Sequence, residues 1–499
     1  EHLEAVHSMM ELMRRRGPDD GGCWTDHRHA VLGFRRLAIL DLSPAGHQPM
    51  STPDGRHTLV FNGGVYNFRE LREELERLGH RFRSTSDTEV VLAALAEWGE
   101  AALPRFNGMF ALAWYDRTAG ALTLARDPLG IKPLYYLEAP RGIVFGSQYD
   151  QVLRHPFCTR RVQPECLSLF LRLGYLPPPY GFFQGTRMLP PGEALRVRPN
   201  RSPERFRYYR FPRETSELND EAEAGSAVDE AVSRAVRRQM VSDVPLGAFL
   251  SGGVDSPLVA AHMRGGGSDV HTFTVGCTDP DFDEAPVAEA YARALGLRQN
   301  VERFRPDECL SLVEEGARAY SEPFGDFSSL PSLLLCRSTR RHATVALSGD
   351  GGDELFFGYP RFWKIGGAAR HFGAPRLVRA LAYGRSRLGG GMVPRGVLFP
   401  DPGAWQFDGH CFSGLRDRDL RVLCPEALAL PQDFDLYRYD GPPEPDSLTR
   451  WMRQNELWGH LQMVLLKMDR ASMHYSLEVR VPLLDLEVVA AAARTSPTA

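Results

Sequence analysis

The stretch Phe249-Leu250-Ser251-Gly252-Gly253-Val254-Asp255-Ser256 constrains this chain more than any other. The apolar run Val244-Pro245-Leu246-Gly247-Ala248 before it predicts a buried parallel strand. Pro257-Leu258-Val259-Ala260-Ala261-His262-Met263 after it predicts the start of a helix, with proline tolerated in the first turn. Strand, small polar turn and helix together make an anion cradle. Glycine lets the backbone approach closely, and the helix N-terminus offers free N–H groups and a partial positive charge. No Gly-Lys-Ser/Thr follows, so this is not the usual nucleoside-triphosphate P-loop. A Gly-Gly turn alone is ordinary; two serines and an aspartate in the same turn favour a ligand.

The strands Val270–Gly276 and Thr344–Leu347, with helices Glu217–Val241 and Pro286–Leu295, continue an alternation that predicts a parallel sheet with helices on both faces. Ligands then bind at the carboxyl ends of the strands, where the Ser251–Ser256 turn lies. A second motif follows a strand in the same way: Ser348-Gly349-Asp350-Gly351-Gly352-Asp353-Glu354. Three acids in five positions repel one another unless a cation balances them, and with Asp255 they offer carboxylates for Mg²⁺ on a polyphosphate. A third stretch, Lys467-Met468-Asp469-Arg470, places two cations on one helix face at i, i+3, ready to stabilise phosphoryl charge.

The first 210 residues read differently. Ala30–Phe34, Thr58–Phe61, Met109–Tyr115 and Leu122–Ala125 predict strands, the last two joined by a turn over Asp116–Gly120. Amphipathic helices follow Asn67 and Asp87. This predicts a layered α+β domain over 1–210 and an α/β domain over 211–499. Residues 145–210, with two Pro-rich segments, read as a connector, and Gly384–Pro402 and Asp440–Pro445 read as loops. A net charge of −4 gives no electrostatic case for nucleic acid or an anionic membrane. No apolar run approaches the ~20 residues of a membrane span. Eight scattered cysteines without paired spacing suit a reducing, cytoplasmic setting.

The turn Ser251–Ser256 resembles the pyrophosphate loop of the N-type ATP pyrophosphatases, which cleave ATP to AMP and pyrophosphate. Arg16-Gly17-Pro18-Asp19-Asp20, Arg35-Arg36-Leu37, Asn62-Gly63-Gly64, Ser86-Asp87-Thr88-Glu89 and Arg126-Asp127-Pro128-Leu129-Gly130 resemble the glutamine amidohydrolase half of class II amidotransferases. With the acidic turn, Lys467–Arg470 and Ser476–Asp485, the set resembles the glutamine-hydrolysing asparagine synthetases over nearly the whole chain. The resemblance implies an αββα, Ntn-hydrolase-like first domain and an adenine-nucleotide α-hydrolase-like second domain. It implies a carbon–nitrogen ligase that activates a carboxylic acid with ATP and Mg²⁺ as an acyl-adenylate. Ammonia from glutamine then displaces AMP. Aspartate is the default acceptor, and a homodimer fits the family.

The roles it implies are specific. Asn62 and Gly63 form the oxyanion hole, and Arg36 and Asp87 hold glutamine. Leu250, Ser251, Gly252, Gly253, Asp255, Ser256, Val275, Ser348 and Gly349 bind ATP or pyrophosphate. Asp255 and Asp353 ligate the metal, and Asp350, Lys467 and Arg470 are catalytic. Tyr320–Ser329 lines the acceptor pocket. Two departures stand out. The family's nucleophilic N-terminal cysteine is not near residue 1, and its Asn-Gly-Glu reads Asn62-Gly63-Gly64. For the first, either an N-terminal segment carrying the cysteine is missing or the half no longer hydrolyses glutamine; the family's continuation past Val481–Asp485 implies a missing C-terminal segment as well. The alternative is an adenylate-forming cyclase or amide ligase, like the β-lactam synthetases, with an inert amidohydrolase half. A non-catalytic nucleotide-binding scaffold is the third reading.

Overall fold

Alternating apolar residues in the first half give eleven strands among the described residues. The computed structural model describes residues 2–140, 142–215, 217–267, 269–369, 372, 375–387, 395–411, 414–441 and 444–496. Helix α1 (His2–Glu11) leads into a hairpin of β1 (Asp20–Thr25) and β2 (Val31–Arg36). Strands β3 (Met50–Ser51), β4 (His57–Val65), β5 (Gly108–Asp116) and β6 (Ala121–Arg126) follow, with α2 (Phe68–Arg77) and α3 (Asp87–Trp98) between β4 and β5. Then come β7 (Tyr135–Ala139), β8 (Gly142–Gly146), β9 (Thr186–Met188), β10 (Glu193–Val197) and β11 (Glu204–Arg207). They form a six-stranded sheet in the order β11-β10-β6-β5-β4-β3 and a three-stranded sheet in the order β8-β7-β9, both antiparallel.

Successive side chains on a strand point to opposite faces, and β4 and β5 use both. Phe61, Phe110 and Leu112 pack under Leu71 and Leu75 of α2 and Val91 and Leu95 of α3. Val60, Ala111 and Ala113 face the other way, against Leu32 of β2 and Tyr136 of β7. The outer face of the small sheet meets Met9 of α1 and Val152 of helix Tyr149–Arg154.

The second half is built on a parallel sheet. Helix α4 (Glu221–Gln239), β12 (Leu246–Phe249), α5 (Asp255–Gly265), β13 (His271–Gly276), α6 (Ala285–Leu295), β14 (Arg298–Arg303), α7 (Ser329–Arg340), β15 (Val345–Leu347), α8 (Leu461–His474), β16 (Glu478–Arg480) and α9 (Leu486–Arg494) carry it. The order is β14-β13-β12-β15-β16, every pair parallel. The central strands β12 and β15 are buried and end at the two motif turns. No helix among the described residues is long and apolar enough to cross a membrane.

Several expectations change. Residues 145–210 are not a connector: β9 completes the small sheet, and β10 and β11 form an edge of the large one. Helix α4 is shorter than 217–241, because the Asp220 side chain accepts from the Glu223 N–H and fixes its start. Residues 384–387 belong to helix Arg376–Arg387, and Pro402 opens helix Pro402–His410, so only part of the supposed 384–402 loop is irregular. Residues 388–394, with the triple glycine, lie outside the described residues, as do 442–443 of the 440–445 stretch. β14 and β16 were not anticipated. The first is a polar edge strand without alternation, and the second is only three residues long.

Candidate active site

The first site is the meeting of two turns at the carboxyl ends of β12 and β15. Leu250 closes β12 by donating its N–H to the Phe273 carbonyl at 2.9 Å, and its side chain is buried against Ala260, Ala288 and Ala292. Val275 is half-buried on β13 and packs against the cluster that holds Phe249. The turn then folds on itself. The Ser251 N–H donates to Ser256 Oγ at 2.8 Å, the two hydroxyls lie 2.9 Å apart, and the Gly253 N–H reaches Ser251 Oγ at 3.3 Å. Asp255 and Ser256 form the first turn of α5. The Gly252 N–H donates to Glu284 Oε2 at 3.1 Å, so a carboxylate already rests on the loop where an anion is favoured.

The acidic turn packs onto this loop without spare room. A Cβ on Gly349 would lie 2.6 Å from the Ser256 nitrogen, and one on Gly352 would lie 2.2 Å from Asp255 Oδ2. At Gly349 the neighbour is backbone, so glycine is a steric requirement; at Gly352 it is the Asp255 carboxylate, which a side chain there would push out of place. Burial, with Asp353 and then Asp350 adding like charge, pushes Asp255 up to about 6. Burial also raises Asp353, against the pull of Arg361. It raises Asp350, against Lys467 and a hydrogen bond from Ser348 Oγ at 2.8 Å. Glu354, buried and hydrogen-bonded by the Tyr359 hydroxyl at 2.7 Å, is pushed up to about 8. Carboxylates that resist ionisation together are a donor set suited to a hard divalent cation.

Lys467 and Arg470 do share a face of α8, and that face meets the Tyr320–Ser329 segment. Lys467 Nζ donates to Ser328 Oγ at 2.8 Å and lies 3.4 Å from Asp326. Arg470 is 2% exposed and is not a free cation at the nucleotide loop. Its guanidinium is taken by both oxygens of Glu322, at 3.2 and 3.3 Å, by the Ser147 carbonyl at 3.0 Å and by Asp469. It therefore joins α8 to the first half of the chain. Glu322 and Ser147 lie far away in sequence, so nothing local to Lys467–Arg470 announces them.

The second site is a cavity of about 1170 Å³ in the first half. Arg36, Asn62, Gly63, Gly64 and Asp87 all line it. Arg36 is buried and donates to the carbonyls of Ser43 at 3.1 Å, Leu40 at 3.2 Å and Asp41, which fixes its fork. Asn62 donates to Ser147 Oγ at 3.3 Å. Gly63 has φ +143°, and a Cβ there would fall 1.9 Å from the Met109 carbonyl oxygen. At Gly64 a Cβ would make only ordinary contacts, 3.6 Å from Tyr66 and 3.8 Å from Asp87 Oδ2. Nothing steric demands a glycine at that position.

Asp87 accepts from the Val65 N–H at 2.9 Å. Burial pushes it up to about 6 against that hydrogen bond, with nearby Glu478 pushing the same way. Cys23 is half-buried in β1, opposite Gly33, and burial raises its thiol; it does not line the cavity. Lys132, Met473, Glu478 and Arg480 do line it, and sequence reading missed all four. The last three come from the second half, so only the tertiary fold could reveal them.

The two sites share a polar seam. Arg16 forks Asp469 with two contacts of 2.7 Å, and Lys132 lies 3.7 Å from the same carboxylate. Burial alone would raise Asp469, but Arg16 and then Lys132 pull it down to about 2. Asn107 donates to Asp485 at 2.9 Å, and Gln462 donates to the Leu129 carbonyl at 2.8 Å.

Comparison with known proteins covers both halves. Residues 1–209 match the family described as glutamine amidotransferase domain, and residues 227–499 match the family described as asparagine synthase. The chain is 30% identical over 501 residues to glutamine-hydrolyzing asparagine synthetase 1 of Bacillus subtilis, covering 97% of this chain and 76% of that protein. It is 33% identical over 509 residues to glutamine-hydrolyzing asparagine synthetase 3 of the same organism, covering 97% and 77%. A solved glutamine phosphoribosylpyrophosphate amidotransferase from B. subtilis aligns at 16% identity over 62% of this chain and 68% of that one, with a TM-score of 0.32.

Proposed function

Since the chain belongs to the asparagine synthetase family, we propose that it forms an amide on a carboxylic acid, splits ATP to AMP and pyrophosphate, and takes its nitrogen from glutamine. The observation that carries this reading is the packing of the Ser251–Ser256 loop against the Ser348–Glu354 turn, with a glycine at each contact. The halves correspond to an Ntn-hydrolase-like amidohydrolase over 1–210 and an adenine-nucleotide α-hydrolase-like synthetase over 211–499.

In the synthetase half, Ser251, Gly252, Gly253 and Ser256 bind the β- and γ-phosphates through N–H and hydroxyl groups, displacing Glu284 from the Gly252 N–H. Leu250, Val275, Ser348 and Gly349 contact the adenosine part. Asp255 and Asp353 would hold Mg²⁺, which when bound offsets phosphate charge; their mutual repulsion is the support for that fit. The acceptor carboxylate attacks the α-phosphorus and the bond to the bridging oxygen breaks, releasing pyrophosphate. Lys467, which holds Ser328 of the acceptor segment, and Asp350, which feels the Lys467 charge, orient the acid. Ammonia then attacks the acyl carbon, AMP leaves with the electron pair, and the nitrogen sheds a proton. An acyl-adenylate reacts with water, so the seam that closes the site from solvent is part of the chemistry.

In the amidohydrolase half, Arg36 binds the glutamine carboxylate and Asp87 its ammonium. The Asn62 amide and the Gly63 N–H stabilise the oxyanion formed when the family's N-terminal cysteine thiolate adds to the side-chain amide carbon; the C–N bond then breaks, ammonia leaves with the thiol proton, and water later frees glutamate. Family membership supports aspartate as acceptor, a homodimer and a cytoplasmic setting. The test is product analysis with ATP, aspartate and either glutamine or ammonium. AMP and pyrophosphate in equal amounts, dependent on aspartate, are expected. ADP and phosphate would contradict the reading.

A further inference from the structure

The amidohydrolase cavity takes part of its wall from the other half of the chain. Glu478 and Arg480, on β16, line it beside Asn62, Gly64 and Asp87. Arg480 is committed elsewhere: it donates to the carbonyls of Gln239 and Val241 at 2.6 and 2.7 Å, and its Nε donates to Glu478 Oε1 at 2.8 Å. Glu478 is 8% exposed, and its second carboxylate oxygen has no hydrogen-bond partner among the described residues. Glu478 pushes the Asp87 carboxyl up and Arg480 pulls it down.

Among the described residues the ion pair that these two acids make is Arg480 with Glu478. Arg16 and Lys132 serve Asp469, and Arg36 is anchored by the carbonyls of Ser43, Leu40 and Asp41. Arg480 lies 5.8 Å from the centroid of the Tyr66 ring, and Tyr66 and Asp87 both flank Gly64, so the two carboxylates share this end of the cavity with one guanidinium, leaving one negative charge uncompensated. No side chain at Gly64 separates them from the cavity. A ligand with an ammonium group at this end and a carboxylate for Arg36 is an amino acid, as the glutamine reading requires.

We propose that Glu478, supplied by the synthetase half, is a specificity-determining residue of the amide-donor pocket, binding the α-ammonium of the donor together with Asp87. The assignment rests on the glutamine reading above. It makes the donor pocket complete only when the two halves are docked.

Calorimetric titration of the intact chain with L-glutamine and with 4-carbamoylbutanoate, which lacks the α-ammonium, tests it. Glu478→Gln should weaken glutamine binding by about tenfold or more and leave 4-carbamoylbutanoate within about twofold, with thermal unfolding reporting the fold of the variant. Should that variant not fold, Glu478→Asp, which keeps the charge but withdraws it by one methylene, must still lower the preference for glutamine. An unchanged preference in whichever variant folds overturns the role of Glu478. A wild-type chain that binds no glutamine contradicts the glutamine reading itself, and the assignment falls with it.

Discussion

Asp255 shows how single side chains set the working range of the site. Its carboxyl is held up at about 6 by burial, Asp353 and Asp350, so it must lose a proton before it can serve a cation. ATP–pyrophosphate exchange is therefore expected to decline as pH falls through about 6, a profile that Asp255→Asn should abolish together with at least ~100-fold of the rate. Asp87 gives the donor site a parallel dependence. Its ionised form is the one that binds an ammonium, so the KM for glutamine should rise as pH falls below about 6. Steady-state kinetics in glutamine across pH 5 to 8, roughly the span on either side of that value, checks it. The residues of the Ser251–Ser256 and Ser348–Glu354 turns were legible because the contacts that shape each are local. Glu284, which meets Gly252 from 32 positions away, was not, nor was the pairing of Arg470 with Glu322, 148 positions away. Their residue types are those of ordinary surface charges.

At the scale of elements, the two motif turns are one unit. Gly349→Ala would force a Cβ to 2.6 Å from the Ser256 nitrogen, separating the acidic turn from the phosphate loop. Loss of at least ~100-fold in exchange is expected, with a stability change of about 1–3 kcal/mol from overpacking. Measuring both in the same preparation separates site damage from unfolding. A different unit lies on the long helical run toward α8. Five residues, Glu456–His460, form a π-turn between helix Pro445–Asn455 and α8. It presents the fully buried Glu456 to Arg361 at 2.6 and 2.7 Å, Gln406 at 2.9 Å and His410 at 3.0 Å. Glu456→Ala leaves the half-buried Arg361 guanidinium and the Gln406 and His410 donors without their acceptor and should cost about 1–3 kcal/mol in denaturant unfolding. Apolar spacing at Leu457, Trp458 and Leu461 suits an unbroken helix, so the π-turn is not legible in the sequence. Strand alternation likewise revealed β4 to β6, whose faces differ in what they bury. It was silent on β14, whose polar residues lie at a sheet edge, and on β16, too short for any period to register.

For the whole molecule, the seam between halves decides whether two chemistries act as one. Asp469 binds Arg16 and lies near Lys132, and its carboxyl is held down at about 2. A carboxyl lower in the folded than the unfolded state stabilises above its unfolded value of about 4 and loses that effect as pH falls toward 2. The docked arrangement should therefore persist through mild acid. Asp469→Asn should cost about 3–5 kcal/mol and lower glutamine-driven amide formation more than ammonium-driven formation, read as a ratio of rates. The division into a layered α+β half and a parallel α/β half followed from periodicity. The seam did not, since Arg16, Lys132 and Asp469 read separately as exposed charges. The central claim is that a carboxylate attacks ATP at the α-phosphorus, and oxygen transfer tests it most directly. With aspartate labelled by ¹⁸O in its side-chain carboxylate, ATP and ammonium, AMP carrying one labelled oxygen is predicted. Label in inorganic phosphate beside ADP, or AMP released unlabelled, would contradict it.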